Sequence, residues 1–137
     1  MANTPDPAAP AAAPGRRRYR ASDVAEHLDM TVIGEVCLGV TLVGYQSVLR
    51  GFLDDPNGSL ASLLATLEAG DTAAIPARAH AVKGGAASLG LRALNVLAAR
   101  LEAPAEGESP ADSTADALAL RALSDTARGL LQRMGLL

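Results

Sequence analysis

The chain has 137 residues, about half of them apolar, and a formal net charge of −3. This length supports one domain with a hydrophobic core and is too short for two ordinary domains. The acidic balance lacks the basic face that nucleic-acid-binding domains usually carry, so we do not expect nucleic acid as a partner. With two Tyr, one Phe and no Trp, the core must consist of Leu, Val, Ile and Ala, which favours packing between helices.

Cysteine usage and hydropathy narrow the class of protein further. Cys37 is the only cysteine, and the chain has two histidines, so a disulfide framework is excluded and a structural zinc site lacks ligands. The longest apolar run, around Val36 to Val43, is shorter than the roughly 20 residues of a membrane-spanning helix. We therefore expect a soluble cytoplasmic protein without a structural zinc site, in which Cys37 is a small core residue.

The N-terminal segment is rich in Ala and Pro and shows no hydrophobic periodicity. We expect a disordered tail over 1–20 and a helical domain over 21–137. The tail contains a basic cluster of Arg16, Arg17, Arg18 and Arg20. A solvated linker explains this cluster better than a nucleic-acid arm does, and the polar residues that follow argue against a twin-arginine export signal.

Apolar residues at helical spacing predict the first elements of the domain. Residues 22–53 indicate one or two helices, with Gly39 and Gly44 marking a possible break. The turn residues of 54–58 end this region. A leucine-rich helix follows, for which Ser59 is the predicted cap.

The histidine-containing helix is predicted next, capped by Asp71 or Thr72 and ended by Gly90. Further helices are expected over 91–103 and 114–134, separated by a polar loop. No run of alternating β-branched residues indicates a strand. The predicted fold is all-α, an up-down four-helix bundle with one or two short extra N-terminal helices.

The two sides of the histidine-containing helix differ sharply in composition. On a helical wheel its core face contains five apolar residues, Ile75, Ala79, Val82, Ala86 and Leu89. His80 lies on the opposite, solvent side, beside Lys83 and Gly84.

Almost no side chain surrounds His80 and Lys83 on this outward face. Each glycine inside a helix costs about 0.5 to 1 kcal/mol relative to alanine, so Gly84 and Gly85 require an explanation. Small residues let another protein approach the histidine ring closely, although for Gly85 tight packing between helices is an equally good explanation. An imidazole is a nucleophile near neutral pH, and an adjacent ammonium can neutralise an anion attached to it. The pattern predicts a phosphoryl acceptor.

The stretch "HAVKGGAASLG", His80 to Gly90, resembles the signature of the histidine-containing phosphotransfer domain. That signature is a His followed by Lys three residues later, then by Gly and small residues, and by a Gly ten residues after the His. The similarity extends from about Leu28 to the C-terminus and includes Asp71 and the segment "LRALNVLAARLE".

The resemblance implies a four-helix bundle and phosphorylation of His80 at Nε2. It implies that Lys83 contacts the phosphoryl group and that the partners are receiver domains of a hybrid sensor kinase and of a response regulator. Magnesium is then expected on the receiver and not on this chain. Receiver docking is expected at Ala77, Gly84, Ala87 and Ser88, and a packing role is expected for Gly85 and Gly90.

Two departures from related proteins affect this interpretation. Many family members have Ser where this chain has Ala86. The segment is also similar to the phosphoacceptor segment of chemotaxis kinases, in which an acidic residue of the next helix often supports the His. Ala99 lies at the comparable position and cannot do so, which favours a stand-alone phosphocarrier over a domain cut from a larger kinase.

Other functions remain open at this stage. A helical adaptor would bind receiver or kinase domains without being phosphorylated. An enzyme is disfavoured, because the chain has no glycine-rich phosphate loop and no second histidine placed to activate Ser88 or Cys37. His27 is expected in a solvated or capping role, and Arg92 and Arg100 either extend the docking surface or are solvated. We expect a monomer.

Overall fold

The structure, a computed structural model, describes residues 19–104 and 112–137. Within these ranges the chain forms α-helices and no strand, which confirms the all-α class. The helices are α1 Ala21–His27, α2 Met30–Asp54, α3 Ser59–Ala69, α4 Ile75–Leu89, α5 Arg92–Glu102 and α6 Ser113–Arg133. Residues 1–18 of the predicted tail and 105–111 of the predicted polar loop lie outside the described residues.

The core is aliphatic apart from Tyr45, which the expectation of a core of Leu, Val, Ile and Ala did not include. Its largest fully buried side chains are those of Tyr45, Leu28, Ile33, Leu49, Leu63, Leu67, Leu91, Leu94, Leu120, Leu131 and Val82. No charged residue is buried in the described part of the chain. Since each buried Leu or Val side chain contributes about 1.5 to 3 kcal/mol, this cluster accounts for most of the stabilisation.

Tyr45 is the one buried aromatic residue within the described ranges, and it was not predicted from the sequence. Its hydroxyl donates a hydrogen bond of 2.8 Å to the carbonyl of Leu89 at the end of α4. Burial, together with the nearby Cys37, raises the pKa of Tyr45 to about 12. The bond satisfies one of the carbonyls at the C-terminus of α4, which have no donor within their own helix, and it ties α2 to the end of α4.

The predicted caps of α3 and α4 are wrong. The N-cap of α4 is Ala74, which has no capping side chain. Asp71 and Thr72 lie in a separate turn, closed by a 3.1 Å bond from the Ala74 amide to the Asp71 carbonyl, so the helix begins later than expected. Ser59 is the first residue of α3, and Gly58 occupies the N-cap without a side-chain bond.

Asp29 fixes the start of α2. One of its carboxylate oxygens accepts hydrogen bonds from the amides of Thr31 and Val32, at 3.1 and 3.2 Å. Its own amide donates to the carbonyl of Gly90, at 2.8 Å. The same residue therefore caps α2 and attaches it to the turn after α4.

α2 is broken at Thr41, between the two glycines at which the sequence predicts a break. Thr41 has φ 68° and ψ 166°, a conformation that costs a β-branched residue roughly 1 to 3 kcal/mol. Its hydroxyl accepts a 3.2 Å hydrogen bond from the Gly44 amide and so caps the second half of the helix.

The break turns both halves of α2 towards the same end of α4. Ile33 in the first half lies against Gly90, and Tyr45 in the second half bonds to Leu89. In a straight α-helix these two residues of α2 would be about 18 Å apart. The bend brings them together, and the segment 38–43 between them is exposed.

Within Met30–Ala69, an 18-residue window has a mean hydropathy of 1.6, which by length and composition is enough for a membrane-spanning helix. The longest uninterrupted apolar run is much shorter, so this stretch was not predicted. In the structure Met30–Ala69 consists of α2, a turn at 55–58 and α3. Six of its side chains, among them Leu49 and Leu63, are buried in the core.

Candidate functional site

The site lies on the outward face of α4, where the wheel analysis predicts it. The five predicted core residues of this helix are all buried. The His80 side chain is 70% exposed. The predicted docking residues Ala77, Gly84, Ala87 and Ser88 are also exposed. His80 therefore projects from a surface that is formed by small residues.

The three glycines of this region have different surroundings. A Cβ atom added to Gly84 would meet nothing within 4 Å. One added to Gly85 would lie 2.5 Å from Cε1 of Phe52, so this glycine makes room for α2. Gly90 has φ 73° and lies against Ile33 and the Asp29 carbonyl, as expected of a left-handed C-cap.

Glu102, the last residue of α5, holds the two charged residues of the α4 face. One carboxylate oxygen lies 2.5 Å from Nδ1 of His80, and the other pairs with Nζ of Lys83. The Glu102 and Lys83 side chains are 24% and 35% exposed. The three side chains form one network, which we call the His80–Glu102–Lys83 triad.

The triad determines which ring nitrogen of His80 is nucleophilic. A carboxylate accepts hydrogen bonds, so in the neutral imidazole the proton lies on Nδ1 and the lone pair on Nε2. Nε2 makes no hydrogen bond to any described residue. The geometry thus presents an unprotonated Nε2 to solvent and reserves Nδ1 for Glu102.

The triad also fixes the charge on Glu102. Hydrogen bonds from Lys83 and then from His80 hold the pKa of the Glu102 carboxyl below its ordinary value, with partial desolvation acting in the opposite direction. Glu102 is therefore ionised throughout the physiological range. An anionic partner stabilises positive charge that develops on the His80 ring during attack on an electrophile.

α5 supports the site in a second place. The side-chain amide of Asn95 donates a 3.1 Å hydrogen bond to the backbone carbonyl of Lys83. On α4 itself, the Ser88 hydroxyl donates to the carbonyl of Gly84 at 2.9 Å, so it is engaged with its own helix. These bonds hold the backbone on which His80 and Lys83 stand.

The expectation that α5 offers no acidic partner is wrong. Ala99 is indeed the residue at the position considered, and it is half-buried, but Glu102 reaches the histidine from almost one turn further along. α4 and α5 run antiparallel, and His80 and Glu102 are equally far from Leu91, one before it and one after. Counting outward from the turn would have found the pair. His80 therefore has an acidic partner, and its supposed absence no longer favours a stand-alone carrier.

The other candidate residues lie outside the site. His27 is half-buried at the end of α1, and its Nδ1 is buried without a hydrogen-bond partner, so it is not the solvated or capping residue that we expected. Arg92 donates to the carbonyl of Ala25 at 2.7 Å and so joins α5 to α1. Cys37 is half-buried against the core. No group of three potential metal ligands occurs among the described residues.

Comparison with known proteins adds one finding to this geometry. A search of curated proteins and a search of solved structures gave no match. A comparison with protein families matched the Hpt domain over residues 47–134. This is more than half of the chain and includes the end of α2, all of α3 to α5, and α6. The chain therefore belongs to the Hpt domain family, the histidine phosphotransfer modules of phosphorelays.

Proposed function

We propose that this protein accepts a phosphoryl group on Nε2 of His80 from the aspartate of a hybrid sensor kinase's receiver domain. It then passes the group to the receiver of a response regulator. The observation that carries the proposal is the exposed His80 ring, whose Nδ1 is bound to Glu102 while Nε2 faces solvent. Family membership supports histidine phosphotransfer as the general activity.

The transfer step balances without a redox partner. The Nε2 lone pair attacks the phosphorus of the receiver's aspartyl phosphate. The N–P bond forms, the P–O bond to the aspartate breaks, and the aspartate leaves as a carboxylate. The proton stays on Nδ1, hydrogen-bonded to Glu102, so the ring is cationic and its charge is compensated. The reverse sequence delivers the phosphoryl group to the next receiver.

Lys83 and the small residues have separate roles in this proposal. Lys83 shares Glu102 with His80, so its ammonium lies next to the ring and can neutralise the attached phosphoryl oxygens. Ala77, Gly84, Ala87 and Ser88 form the floor on which the receiver docks. Gly84 is the most important of these residues for the receiver's access to His80, because nothing lies within 4 Å of the place where a Cβ atom would be.

The chemistry divides between the two partners. The receiver supplies its aspartate and its magnesium ion, while this chain supplies a positioned nucleophile and needs no cofactor. It acts as a phosphocarrier in the cytoplasm rather than as an enzyme that turns over a substrate. The same triad would also serve the phosphoacceptor domain of a larger kinase, and an adaptor would need only the docking floor.

Phosphoryl transfer from a panel of phosphorylated receiver domains tests the proposal. The wild type and His80→Gln are followed on a phosphate-affinity gel, with acid and alkali challenge. His27→Gln is the matched control, since it removes the other histidine. We expect an acid-labile, alkali-stable phosphate on the wild type and on His27→Gln, and none on His80→Gln. Receivers that bind all three proteins equally and label none would support the adaptor instead.

A further inference from the structure

The proton on Nδ1 of His80 decides how easily a phosphoryl group leaves Nε2. When Nδ1 is protonated, cleavage of the bond between Nε2 and phosphorus releases a neutral imidazole, which is a good leaving group. Without that proton the ring would have to leave as an imidazolide anion, which is a very poor one. Whatever holds this proton therefore controls the second half of a transfer reaction, in which the phosphoryl group is given away.

One carboxylate faces this proton. Nδ1 of His80 has a single hydrogen-bond partner in the described part of the chain, an oxygen of Glu102 at 2.5 Å. Glu102 is ionised, because hydrogen bonds from Lys83 and His80 lower the pKa of its carboxyl. A negative charge at this distance favours the cationic form of a phosphorylated ring. Within the described ranges no charged side chain of α2, α3 or α6 pairs with the ring.

Lys83 adjusts how much of the Glu102 charge acts on the ring. Its ammonium pairs with the second oxygen of Glu102, so in the unphosphorylated chain His80 and Lys83 share one carboxylate. A phosphoryl group on Nε2 brings further anionic oxygens to the same helix face, about one turn from Lys83, and attracts that ammonium. As Lys83 turns towards the phosphoryl oxygens, Glu102 is left to His80 alone. The carboxylate therefore holds the Nδ1 proton most strongly in the phosphorylated state.

The core, rather than this hydrogen bond, holds Glu102 in position. Leu94, Leu97 and Leu101 anchor α5 among the buried residues, and Glu102 follows at the end of the helix. A glutamine at this position has the same shape, and its amide oxygen accepts the same hydrogen bond from Nδ1. Glu102→Gln therefore removes the negative charge and leaves the ring in place.

We propose, on the basis of the function proposed above, that Glu102 is a positioning residue that keeps Nδ1 of phosphorylated His80 protonated and so makes the phosphoryl group quick to leave. Donation to a receiver and loss to water both proceed from this cationic ring. In the second reaction water adds to phosphorus, the N–P bond breaks, and its electron pair returns to Nε2. Dihydrogen phosphate departs, while the ring keeps its Nδ1 proton and is neutral again.

The lifetime of the phosphate on His80, measured without a receiver, tests this role. The wild type, Glu102→Gln and Glu68→Gln are phosphorylated with phosphoramidate, freed of the reagent, and followed on a phosphate-affinity gel at about pH 8 and at about pH 5. Glu68→Gln is the matched control, since it breaks another ion pair between helices, the one with Arg121. Circular dichroism verifies that all three proteins are equally helical.

We expect Glu102→Gln to keep its phosphate severalfold longer than the wild type and the control at the higher pH. At the lower pH the lifetimes should converge, because the phosphorylated ring is then protonated without a carboxylate. An equal or shorter lifetime for Glu102→Gln at the higher pH would overturn the role of Glu102 and leave the phosphorylation of His80 intact. A wild type that neither phosphoramidate nor a receiver phosphorylates on His80 would contradict the proposed function, and the role of Glu102 with it.

Nitrogen NMR of the phosphorylated wild type provides a second test that needs no variant. In the folded chain Nδ1 of phosphorylated His80 should retain its proton at about pH 8. In the same chain unfolded with urea, Glu102 no longer lies beside the ring, and Nδ1 should have lost the proton. Equal protonation of Nδ1 in the folded and unfolded chains would overturn the role of Glu102.

Discussion

Gly84 and Gly85 are neighbours in α4 but face different environments. Above Gly84 there is open space, whereas Gly85 lies under the ring of Phe52. The first glycine gives access to His80, and the second permits α2 to pack closely on α4. The same residue type thus serves two different purposes, and the position of α2 determines which glycine serves which.

The same contrast holds for the two sides of α4 as a whole. The inward side packs aliphatic side chains against α2, α3 and α5. The outward side has few side chains, and its charged groups are held from α5 through Glu102. Stability should therefore depend on the inward side, and phosphoryl transfer on the outward side.

Gly90→Ala should have the largest effect on stability. An alanine at φ 73° is strained by about 1 to 2 kcal/mol. Its Cβ would also lie 2.7 Å from Ile33 and 2.8 Å from the Asp29 carbonyl, an overpacking that typically costs about 1 to 3 kcal/mol. We expect the free energy of unfolding, measured with urea, to fall by roughly 2 to 5 kcal/mol. A loss below about 1 kcal/mol would mean that this turn adapts freely.

Gly85→Ala should have an intermediate effect. The new Cβ displaces the Phe52 ring, which costs about 1 to 3 kcal/mol. The higher helix propensity of alanine stabilises the variant by about 1 kcal/mol in the opposite direction. We expect a net loss of about 1 kcal/mol, restored when Phe52→Leu is added. A double variant no more stable than Gly85→Ala would show that Phe52 is not the obstacle.

Glu102→Gln should change how stability depends on pH. The pKa of Glu102 is lowered in the folded state, so its contribution is present above the ordinary glutamate pKa and is lost as pH falls through the lowered value. The wild type should therefore have a higher melting temperature than Glu102→Gln at neutral pH. The difference between the two melting temperatures should disappear in acid. Glu35→Gln, at an exposed position on α2, is the control. A difference in melting temperature that is unchanged in acid would contradict the triad.

Gly84→Ala should have the smallest effect on stability and the opposite sign. The added Cβ meets nothing, and alanine favours a helix over glycine by up to about 1 kcal/mol. We expect unchanged or slightly higher stability, together with slower transfer from a receiver domain. Phosphoryl transfer at the wild-type rate in both Gly84→Ala and Gly84→Gln would show that the receiver does not need Gly84 to reach His80.

Much of this division could be predicted from the sequence, because it rests on periodicity. Helical spacing places His80 outward and Val82 inward without reference to any other helix. Residues that act across helices were harder to find. The bond from Tyr45 to Leu89 joins residues 44 positions apart in the chain, and the pairing of Glu102 with His80 depends on where α5 begins after Gly90. A single-residue shift in that start moves the partner by 100° around the helix.

The caps show the same limit on a smaller scale. Asp71 and Thr72 are good capping residues, yet the turn that they form delays the start of α4 until after Ala74. The preference of single residues for cap positions therefore identified the region of the helix start but not the residue, and the first residue of α4, Ile75, is buried in the core.

Nitrogen NMR of the two histidines tests the central claim most directly. Long-range ¹H–¹⁵N spectra of the labelled chain report which ring nitrogen carries the proton. Phosphorus coupling after treatment with phosphoramidate reports which nitrogen is phosphorylated, and no partner protein is needed. We predict that neutral His80 carries its proton on Nδ1 and is phosphorylated on Nε2, while His27 is not modified. A proton on Nε2 of His80, a phosphate on its Nδ1, or a phosphate on His27 alone would contradict the proposed site.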